Sequence, residues 1–186
     1  SEINLSQWKL LELGKLTREE VLVRRYEILF QEVGMSCDAK KISEKYEDFL
    51  GEGHYFIPGA KELLEDLSKK YHLYLASNGA VKVQMSRIKS AGIEKYLEKI
   101  FLSEQIGYEK PSPQFFEKCF AQIPDFKKEE ALILGDSLTS DIRGGKNAGI
   151  LTVWFHPSGK KVEEEIVPDY EIGKLEELKT ILSFYS

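Results

Sequence analysis

The sequence is poor in the residues that build disulfide frameworks and metal clusters. It has two cysteines, Cys37 and Cys119, which lie far apart and match no metal-binding spacing, and three histidines. It also lacks a long apolar run and a basic stripe, since its 26 lysine and arginine residues occur as scattered pairs against 31 acidic residues. We therefore expect a reduced, cytoplasmic protein that binds neither a nucleic acid polymer nor a membrane.

The residues that are present can form a sizeable hydrophobic core. Of the 186 residues, 42% are hydrophobic and 31% are charged, which is typical of a globular protein with one domain and a small appendage. The spacing of the apolar residues changes character near residue 54. We predict helical segments over residues 1–54 and an α/β core over residues 55–186.

Three amphipathic helical patterns occupy the first part of the chain. The second of them has the sharpest start, because Thr17 and Glu20 have the spacing of a capping box, and Gly34 stands where a C-terminal glycine belongs. Asp38 is placed to cap the third helix. The aromatic residues on these helices indicate packing between helices rather than a cofactor site.

From Tyr55 onward, short apolar runs alternate with amphipathic helices. The runs that we predict as buried strands are His72–Ser77, Lys99–Ser103, Ala131–Asp136 and Leu151–Phe155. Helices are predicted near residues 59–69, 80–91, 112–122, 140–148 and 174–182. This alternation predicts parallel strands joined by right-handed crossovers, and hence a Rossmann-like open α/β sheet with helices on both faces.

Two of the predicted strand ends are suited to binding an anion, because ligands of such sheets bind beyond the carboxyl ends of the strands. Ser77, Asn78 and Gly79 offer a hydroxyl, an amide and backbone N–H groups at a helix N-terminus. An ordinary strand-to-helix turn has the same composition. Lys110 lies at the mouth of a later helix, where it is either a fixed positive charge or simply a solvated lysine.

The third strand end brings two carboxylates toward one point. Asp136 ends the predicted strand, and Asp141 falls in the first turn of the next helix, where it could also serve as an anion that complements the helix dipole. Carboxylate oxygens are the ligands that Mg²⁺ prefers. Gly144 and Gly145 weaken a helix, which is understandable if another group comes close to them. Together the three strand ends supply the parts that phosphoryl transfer requires.

Three stretches of the sequence are similar to motifs of a known family. The stretches "LYLASNG", "EKPSP" and "LILGDSLTSDIRGGKNAGI" resemble the second, third and fourth motifs of the haloacid dehalogenase superfamily of phosphatases. The details of "LTREEV", "EKYEDFLGEGHYFIPGA" and "GDSLTSDIRGG" are most similar to the pyrimidine nucleotidases, which dephosphorylate nucleoside monophosphates. The resemblance implies a Mg²⁺-dependent phosphomonoester hydrolase, with a small helical cap on a Rossmann-like core. Its partner is then a small phosphate ester, and monomer and homodimer both stay open.

The resemblance also implies a role for each site residue. Ser77, Asn78 and Gly79 bind the phosphoryl oxygens. Lys110 is catalytic, because it steadies the nucleophile and the charge of the phosphate. The catalytic residue Asp136 binds Mg²⁺, and Asp141 is either a second metal ligand or the residue that orders the loop and Lys110.

The sequence departs from the family at one decisive point, because no Asp-x-Asp occurs anywhere in it. In the family, the first aspartate of that motif attacks phosphorus to form an aspartyl-phosphate, and the second is the general acid and base. The strand that carries the motif lies between the strands ending at Ser77 and Asp136, so its absence leaves two unpaired edges. We therefore expect a natural protein longer by roughly 45 to 50 residues at the N-terminus. The chain as given should be inactive and should bind Mg²⁺ poorly.

The sequence is also compatible with several other functions. A phosphatase of the same superfamily could act on phosphoglycolate or a sugar phosphate. A non-catalytic binding protein could keep the fold without the first motif, since fold does not guarantee function. A third possibility is that another chain donates the missing strand. The residues encoded before Ser1 distinguish the enzyme from the binding protein.

Overall fold

The structure is a computed structural model, and it describes residues 2–159 and 165–185. Its helices are α1 (Glu2–Glu12), α2 (Arg18–Glu32), α3 (Ala39–Glu52), α4 (Ala60–Leu67), α5 (Val81–Ala91), α6 (Ser103–Ile106), α7 (Pro113–Phe120), α8 (Arg143–Ala148) and α9 (Leu178–Leu182). Its strands are β1 (Tyr74–Ser77), β2 (Lys99–Leu102), β3 (Leu132–Gly135), β4 (Leu151–Phe155) and β5 (Tyr170–Ile172). Within the described ranges, none of the helices combines the length and the apolar character needed to cross a membrane.

The chain divides into two compact units. The residues up to His54, together with Lys82–Ser90 of α5, form the helical unit, and the remaining described residues form the α/β unit. This division differs from the one drawn at residue 54 from the sequence, because α5 packs on α3. The Ser86 hydroxyl donates a hydrogen bond of 2.7 Å to the carbonyl oxygen of Gly51.

The predicted helix starts in the helical unit are confirmed. The backbone N–H of Glu20 donates to the Thr17 hydroxyl (3.3 Å), and the Glu20 carboxylate accepts from the backbone N–H of Thr17 (2.7 Å), which completes the capping box. The Asp38 carboxylate accepts from the backbone N–H of Lys41 at 3.0 Å. Gly34 has a φ of 67°, the left-handed conformation that glycine adopts without strain.

The strands of the α/β unit form two parallel sheets rather than one. The first sheet pairs β1 with β2, and the second has the order β3-β4-β5. All four strands predicted from the sequence are present, but β5 was missed because it has only three residues. Within the part of the chain that the structure describes, β1 and β3 each keep one edge without a partner strand. Those edges belong to the two strands between which the sequence analysis places the absent one.

Burial differs among these strands in a way that follows from the pairing. Val153 and its neighbours in β4 are buried, whereas every residue of β1 and β3 is only partly buried. The sequence analysis predicted all of these strands to be buried, and that expectation is wrong for β1 and β3. Each of them lacks a neighbouring strand on one side, so its side chains and backbone keep contact with solvent.

Candidate active site

The loop after β1 is folded around its own side chains. The Ser77 hydroxyl accepts a hydrogen bond from the backbone N–H of Gly79 at 2.9 Å. The Asn78 side chain makes two bonds of 2.8 Å to the main chain of Lys110, since its amide N–H donates to the carbonyl oxygen and its carbonyl oxygen accepts from the N–H. The Asn78 amide therefore holds the Lys110 segment in place, and the Gly79 N–H is already bonded.

The loop before α7 fixes the backbone on the other side of Lys110. Ser112 caps α7 by accepting from the backbone N–H of Phe115 at 3.3 Å, and Pro113 occupies the first helical turn, as the proline's fixed φ favours. Lys110 thus has its backbone held by Asn78 on one side and by a capped helix on the other.

The Lys110 ammonium is buried between the two sheets of the α/β unit. It donates to the carbonyl oxygen of Ala76 in β1 (2.7 Å) and to Oδ1 of Asp141 (2.6 Å). The two side chains of this ion pair are only 8% and 9% exposed. A buried pair of this kind persists only when its geometry is good and its polar atoms find hydrogen-bond partners. Here the two charged groups are in direct contact, and both oxygens of Asp141 are bonded. The sequence analysis left a solvated lysine open as the alternative, and the structure excludes it.

Both carboxylate oxygens of Asp141 are engaged by protein groups. Oδ1 accepts from Lys110, and Oδ2 accepts from the backbone N–H of Ser137 at 3.1 Å. Asp141 lies in a π-helical turn, Leu138–Ile142, that Ser137 caps and that leads directly into α8. This arrangement favours the second of the two roles considered above, in which Asp141 orders the loop and Lys110.

Asp136 differs from Asp141 in its exposure and in its hydrogen bonds. Its side chain is exposed, and no hydrogen bond or ion pair of its carboxylate is found within residues 2–159 and 165–185. Its main-chain carbonyl oxygen is fixed, because it accepts from the indole N–H of Trp154 in β4 at 3.0 Å. A free carboxylate on a fixed backbone fits one ligand position of Mg²⁺, which is commonly bound by one or two carboxylates plus waters.

The metal-binding capacity of the chain is limited by this donor set. Among the residues that the structure describes, no group of three or more histidine, cysteine, aspartate or glutamate side chains is placed to hold a metal ion. With both oxygens of Asp141 bonded, Asp136 is the carboxylate at this site that fits a metal. The assignment of Asp141 as a second ligand stays a prediction.

The glycines of this region are required by close packing. An added Cβ at Gly144 would lie 2.5 Å from the Phe116 ring, and one at Gly145 would lie 2.5 Å from Ile133. The close approach that the sequence analysis inferred is therefore made by protein side chains. Gly135 was not singled out, yet a Cβ there would collide with Asp141 itself. The absence of a side chain at Gly135 is what lets the Asp141 carboxylate lie over the end of β3.

Below the site lies a buried thiol that the sequence did not associate with it. Cys119 in α7 is 4% exposed, and burial raises its pKa from 9.0 to about 12, although the nearby charge of Lys110 acts in the opposite direction. The thiol therefore stays protonated at neutral pH. It packs in the cluster that includes Phe101, Phe115 and Phe116 and so supports the Lys110 region from beneath.

Comparison with known proteins assigns the chain to a family. The profile of the haloacid dehalogenase-like hydrolases matches residues 4–155. The HAD-hydrolase YfnB of Bacillus subtilis is 42% identical over 181 residues, which cover 97% of this chain and 77% of YfnB. A crystal structure of YfnB bound to magnesium has a TM-score of 0.93 with this chain, over 98% of this chain and 79% of that one.

Two relatives are named for a specific activity. The pyrimidine 5'-nucleotidase PynA of Streptococcus pneumoniae is 37% identical, covering 95% of this chain and 75% of PynA. The pyrimidine 5'-nucleotidase YjjG of Escherichia coli is 26% identical, covering 97% of this chain and 79% of YjjG. The chain thus belongs to the haloacid dehalogenase-like hydrolase family, and its relatives support the branch that contains the pyrimidine nucleotidases.

Proposed function

We propose that the chain forms the phosphate-binding wall of a Mg²⁺-dependent phosphatase that acts on nucleoside 5'-monophosphates. One observation above all supports this proposal. Lys110 is a buried cation whose backbone is held by Asn78 and whose ammonium is held by Asp141 and the β1 carbonyl of Ala76. A cation fixed in this way is preorganised to meet the charge that develops on a transferring phosphoryl group.

Each residue has a defined task in this proposal. Lys110 uses two of its three N–H groups for Asp141 and Ala76, so one remains for a phosphoryl oxygen. The Ser77 hydroxyl, at the end of β1, contacts another oxygen. Asn78 and Asp141 act as positioning residues for Lys110, because the Asn78 amide is bonded to the Lys110 main chain and both oxygens of Asp141 are bonded to protein groups.

Asp136 would hold the metal. Bound there, Mg²⁺ neutralises negative charge on the substrate phosphate. YfnB, with which this chain shares its fold, was solved with bound magnesium, and this supports the assignment. We expect the affinity of this chain for Mg²⁺ to be low, because Asp136 would be its main protein ligand.

We further propose that the attacking aspartate lies outside these 186 residues. The sequence contains no Asp-x-Asp, and the described parts of β1 and β3 each leave an edge without a partner strand. A strand between them would place its carboxyl end beside Lys110, which contacts both flanking segments. Without that strand, the chain should not turn over substrate.

The substrate class rests on the two nucleotidase relatives, PynA and YjjG. A sugar phosphate or phosphoglycolate remains the alternative substrate. Lys110 and the metal held by Asp136 would contact only the phosphate group, which all phosphomonoesters share. We keep a cytoplasmic location as an expectation, because Cys37 and Cys119 are both free thiols.

Phosphate release from uridine monophosphate tests the proposal. We would measure it for the 186-residue chain and for a form that also contains any residues encoded before Ser1, each with and without Mg²⁺. The expected result is no release by the chain and metal-dependent release by the longer form. Robust release by the chain alone would show that its nucleophile lies within it. If the longer form is folded and carries Asp-x-Asp but hydrolyses no phosphomonoester, the phosphatase assignment is wrong.

A further inference from the structure

A serine, a histidine and a glutamate at the carboxyl end of β4 are linked by two hydrogen bonds. The Ser158 hydroxyl lies 2.7 Å from Nε2 of His156, and Nδ1 of His156 lies 2.9 Å from Oε1 of Glu171. All three residues belong to the α/β unit. None of the three has a role in the proposed phosphatase.

We propose that Ser158 is a nucleophile that His156 activates as a general base, and that the α/β unit thereby hydrolyses activated carboxylic esters. This is a second activity, separate from the proposed phosphatase function. A nucleophile within hydrogen-bond reach of a base, with the base oriented by a third group, occurs in hydrolases of unrelated folds. Such an arrangement is recognised by its geometry rather than by the order of its residues in the sequence.

The pairing of β4 with β5 accounts for this geometry. The two strands are parallel, and Trp154 of β4 is paired with Glu171 of β5. Paired residues of neighbouring strands point to the same face of a sheet, and so do residues two positions apart on one strand. His156 comes two positions after Trp154, and its backbone N–H continues the ladder by donating to the carbonyl oxygen of Ile172 at 2.8 Å. The pairing therefore brings Glu171 beside the His156 ring.

The imidazole of His156 is held in one orientation. It stacks on the indole of Trp154, with the ring centres 4.0 Å apart and the ring planes 15° from parallel. The indole is itself fixed, because its N–H donates to the carbonyl oxygen of Asp136. The His156 side chain is only 12% exposed. A base held in this way is preorganised for proton transfer.

The partners of the imidazole determine which nitrogen carries the proton. A carboxylate only accepts hydrogen bonds, so Nδ1 of His156 carries the proton that Glu171 accepts. In the neutral ring, Nε2 then has an available lone pair, to which the Ser158 hydroxyl donates. The proton of Ser158 thus points at the atom that must remove it.

The proposed reaction consumes an ester and water and leaves the protein unchanged. Oγ of Ser158 attacks the carbonyl carbon, its proton passes to Nε2 of His156, and the bond to the leaving oxygen breaks as that oxygen takes up the proton. Water then attacks the acyl-serine and gives a proton to Nε2, and the acid departs as Oγ recovers that proton. Glu171 and Trp154 are positioning residues, because they act through the imidazole.

The exposure of Ser158 determines the kind of ester. Ser158 is exposed and lies on a turn in which the N–H of Gly159 donates to the carbonyl oxygen of His156 at 3.2 Å. An ester at this turn stays in contact with water, so the negative charge that develops on its carbonyl oxygen receives little preorganised stabilisation. We therefore expect slow turnover of small esters that have a good leaving group.

Release of p-nitrophenolate from p-nitrophenyl acetate tests the proposal. We would measure it for the 186-residue chain in EDTA, so that metal-dependent phosphate chemistry does not contribute. Ser158→Ala and His156→Gln should each lower the protein-dependent rate at least about tenfold, because general-base catalysis typically contributes ~10²–10⁴-fold. Glu171→Gln keeps an acceptor for Nδ1 but removes the charge, so its rate should lie between those of His156→Gln and the wild type.

A covalent label distinguishes an activated serine from a merely structural one. Phenylmethylsulfonyl fluoride transfers its sulfonyl group to a reactive serine with loss of fluoride and of the hydroxyl proton. Tandem mass spectrometry should locate the adduct on Ser158. His156→Gln and Glu171→Gln should slow this labelling, although the Ser158 hydroxyl itself is still present in both variants.

His54 and Ser90 of the helical unit form a matched control pair. Nδ1 of His54 lies 2.9 Å from the Ser90 hydroxyl, but that hydroxyl donates to the carbonyl oxygen of Arg87 at 3.1 Å. The proton of Ser90 is therefore not directed at the imidazole. His54→Gln and Ser90→Ala should hydrolyse the ester like the wild type, and Ser90 should not be labelled.

Three outcomes overturn the proposal. They are the absence of ester hydrolysis by the folded chain, a wild-type rate in folded Ser158→Ala, and sulfonyl labelling of Ser90 as fast as that of Ser158. Thermal unfolding shows whether each variant is folded, and if His156→Gln is not, Ser158→Ala decides the matter because it changes an exposed side chain. The assay uses neither a metal nor residues encoded before Ser1, so its result does not depend on the phosphatase proposal.

Discussion

The side-chain amide of Asn78 and the main chain of Lys110 are paired by two hydrogen bonds of 2.8 Å, one in each direction. The residue after β1 thereby fixes the backbone of a residue that lies 32 positions later in the sequence. This pairing uses both polar atoms of the Asn78 side chain. It explains why an amide is needed at this position, since only a group with one donor and one acceptor can match a backbone in this way.

Replacement of Asn78 by Asp should weaken the Lys110 loop. The variant keeps the acceptor for the Lys110 N–H but loses the donor and places a carboxylate against the Lys110 carbonyl oxygen. We expect the free energy of unfolding to fall by about 1–3 kcal/mol, because a partly buried polar group loses its partner. Urea unfolding measures this change. Asn147→Asp on the exposed side of α8 is the matched control, and an equal loss in both variants would contradict the positioning role.

The Lys110–Asp141 pair should show strong coupling. Lys110→Met leaves the Asp141 carboxylate buried without its partner, which we expect to cost about 3–5 kcal/mol of stability. The double variant Lys110→Met with Asp141→Leu removes both charges and should be more stable than the sum of the single changes predicts. A double-mutant cycle by chemical denaturation measures this coupling. Lys82→Met, which breaks an exposed pair with Asp48, should lose much less.

The sequence was sufficient for the local features of the fold. The capping box at Thr17 and the cap at Asp38 were predicted because each depends on residues three positions apart. The four predicted strands are also present, since continuous apolar runs mark buried strands. The prediction that β1 and β3 are fully buried was wrong, because their burial depends on a neighbouring strand rather than on their own residues.

The candidate site could likewise be predicted only in part from the sequence. Ser77, Lys110, Asp136 and Asp141 could be named from the sequence because they follow strands, and parallel strands end at one edge of a sheet. The separate role of each residue could not be predicted, because it depends on contacts between segments that are distant in the sequence. The bonds of Asn78 to Lys110 and of Ser137 to Asp141 decide which side chains stay available. The need for Gly135 was missed for the same reason, since Asp141 covers it only after the turn has folded.

The glycines of α8 should be intolerant of the smallest side chain. In Gly144→Ala, the new methyl group would lie 2.5 Å from the Phe116 ring and 3.3 Å from the backbone of Pro111. We expect a loss of about 1–3 kcal/mol from overpacking, measured by thermal unfolding. Gly51→Ala is a matched control, because its Cβ would be at an ordinary 3.7 Å from Ser86. It should keep or raise stability, by up to ~1 kcal/mol, and wild-type stability of Gly144→Ala would show that Phe116 can move aside.

The two cysteines should differ sharply in reactivity. Cys37 is exposed, whereas Cys119 is buried and its pKa is raised to about 12 by that burial. Because the thiolate is the reactive form, iodoacetamide at pH 8 should modify one cysteine in the native chain and two in urea. Mass spectrometry counts the adducts and locates them. Rapid native labelling of Cys119 would mean that α7 opens frequently and that Lys110 is not rigidly supported.

The raised pKa of Cys119 also predicts how stability depends on pH. The folded thiol keeps its proton up to a higher pH than the unfolded thiol, so its contribution to stability is fully present below about pH 8.5 and is lost as the pH rises toward 12. Cys119→Ala should therefore lose less stability than the wild type between pH 8.5 and 11. Cys37→Ala should follow the wild type. Parallel urea titrations at several pH values measure the difference, and identical slopes for Cys119→Ala and the wild type would show that the buried thiol does not titrate with unfolding.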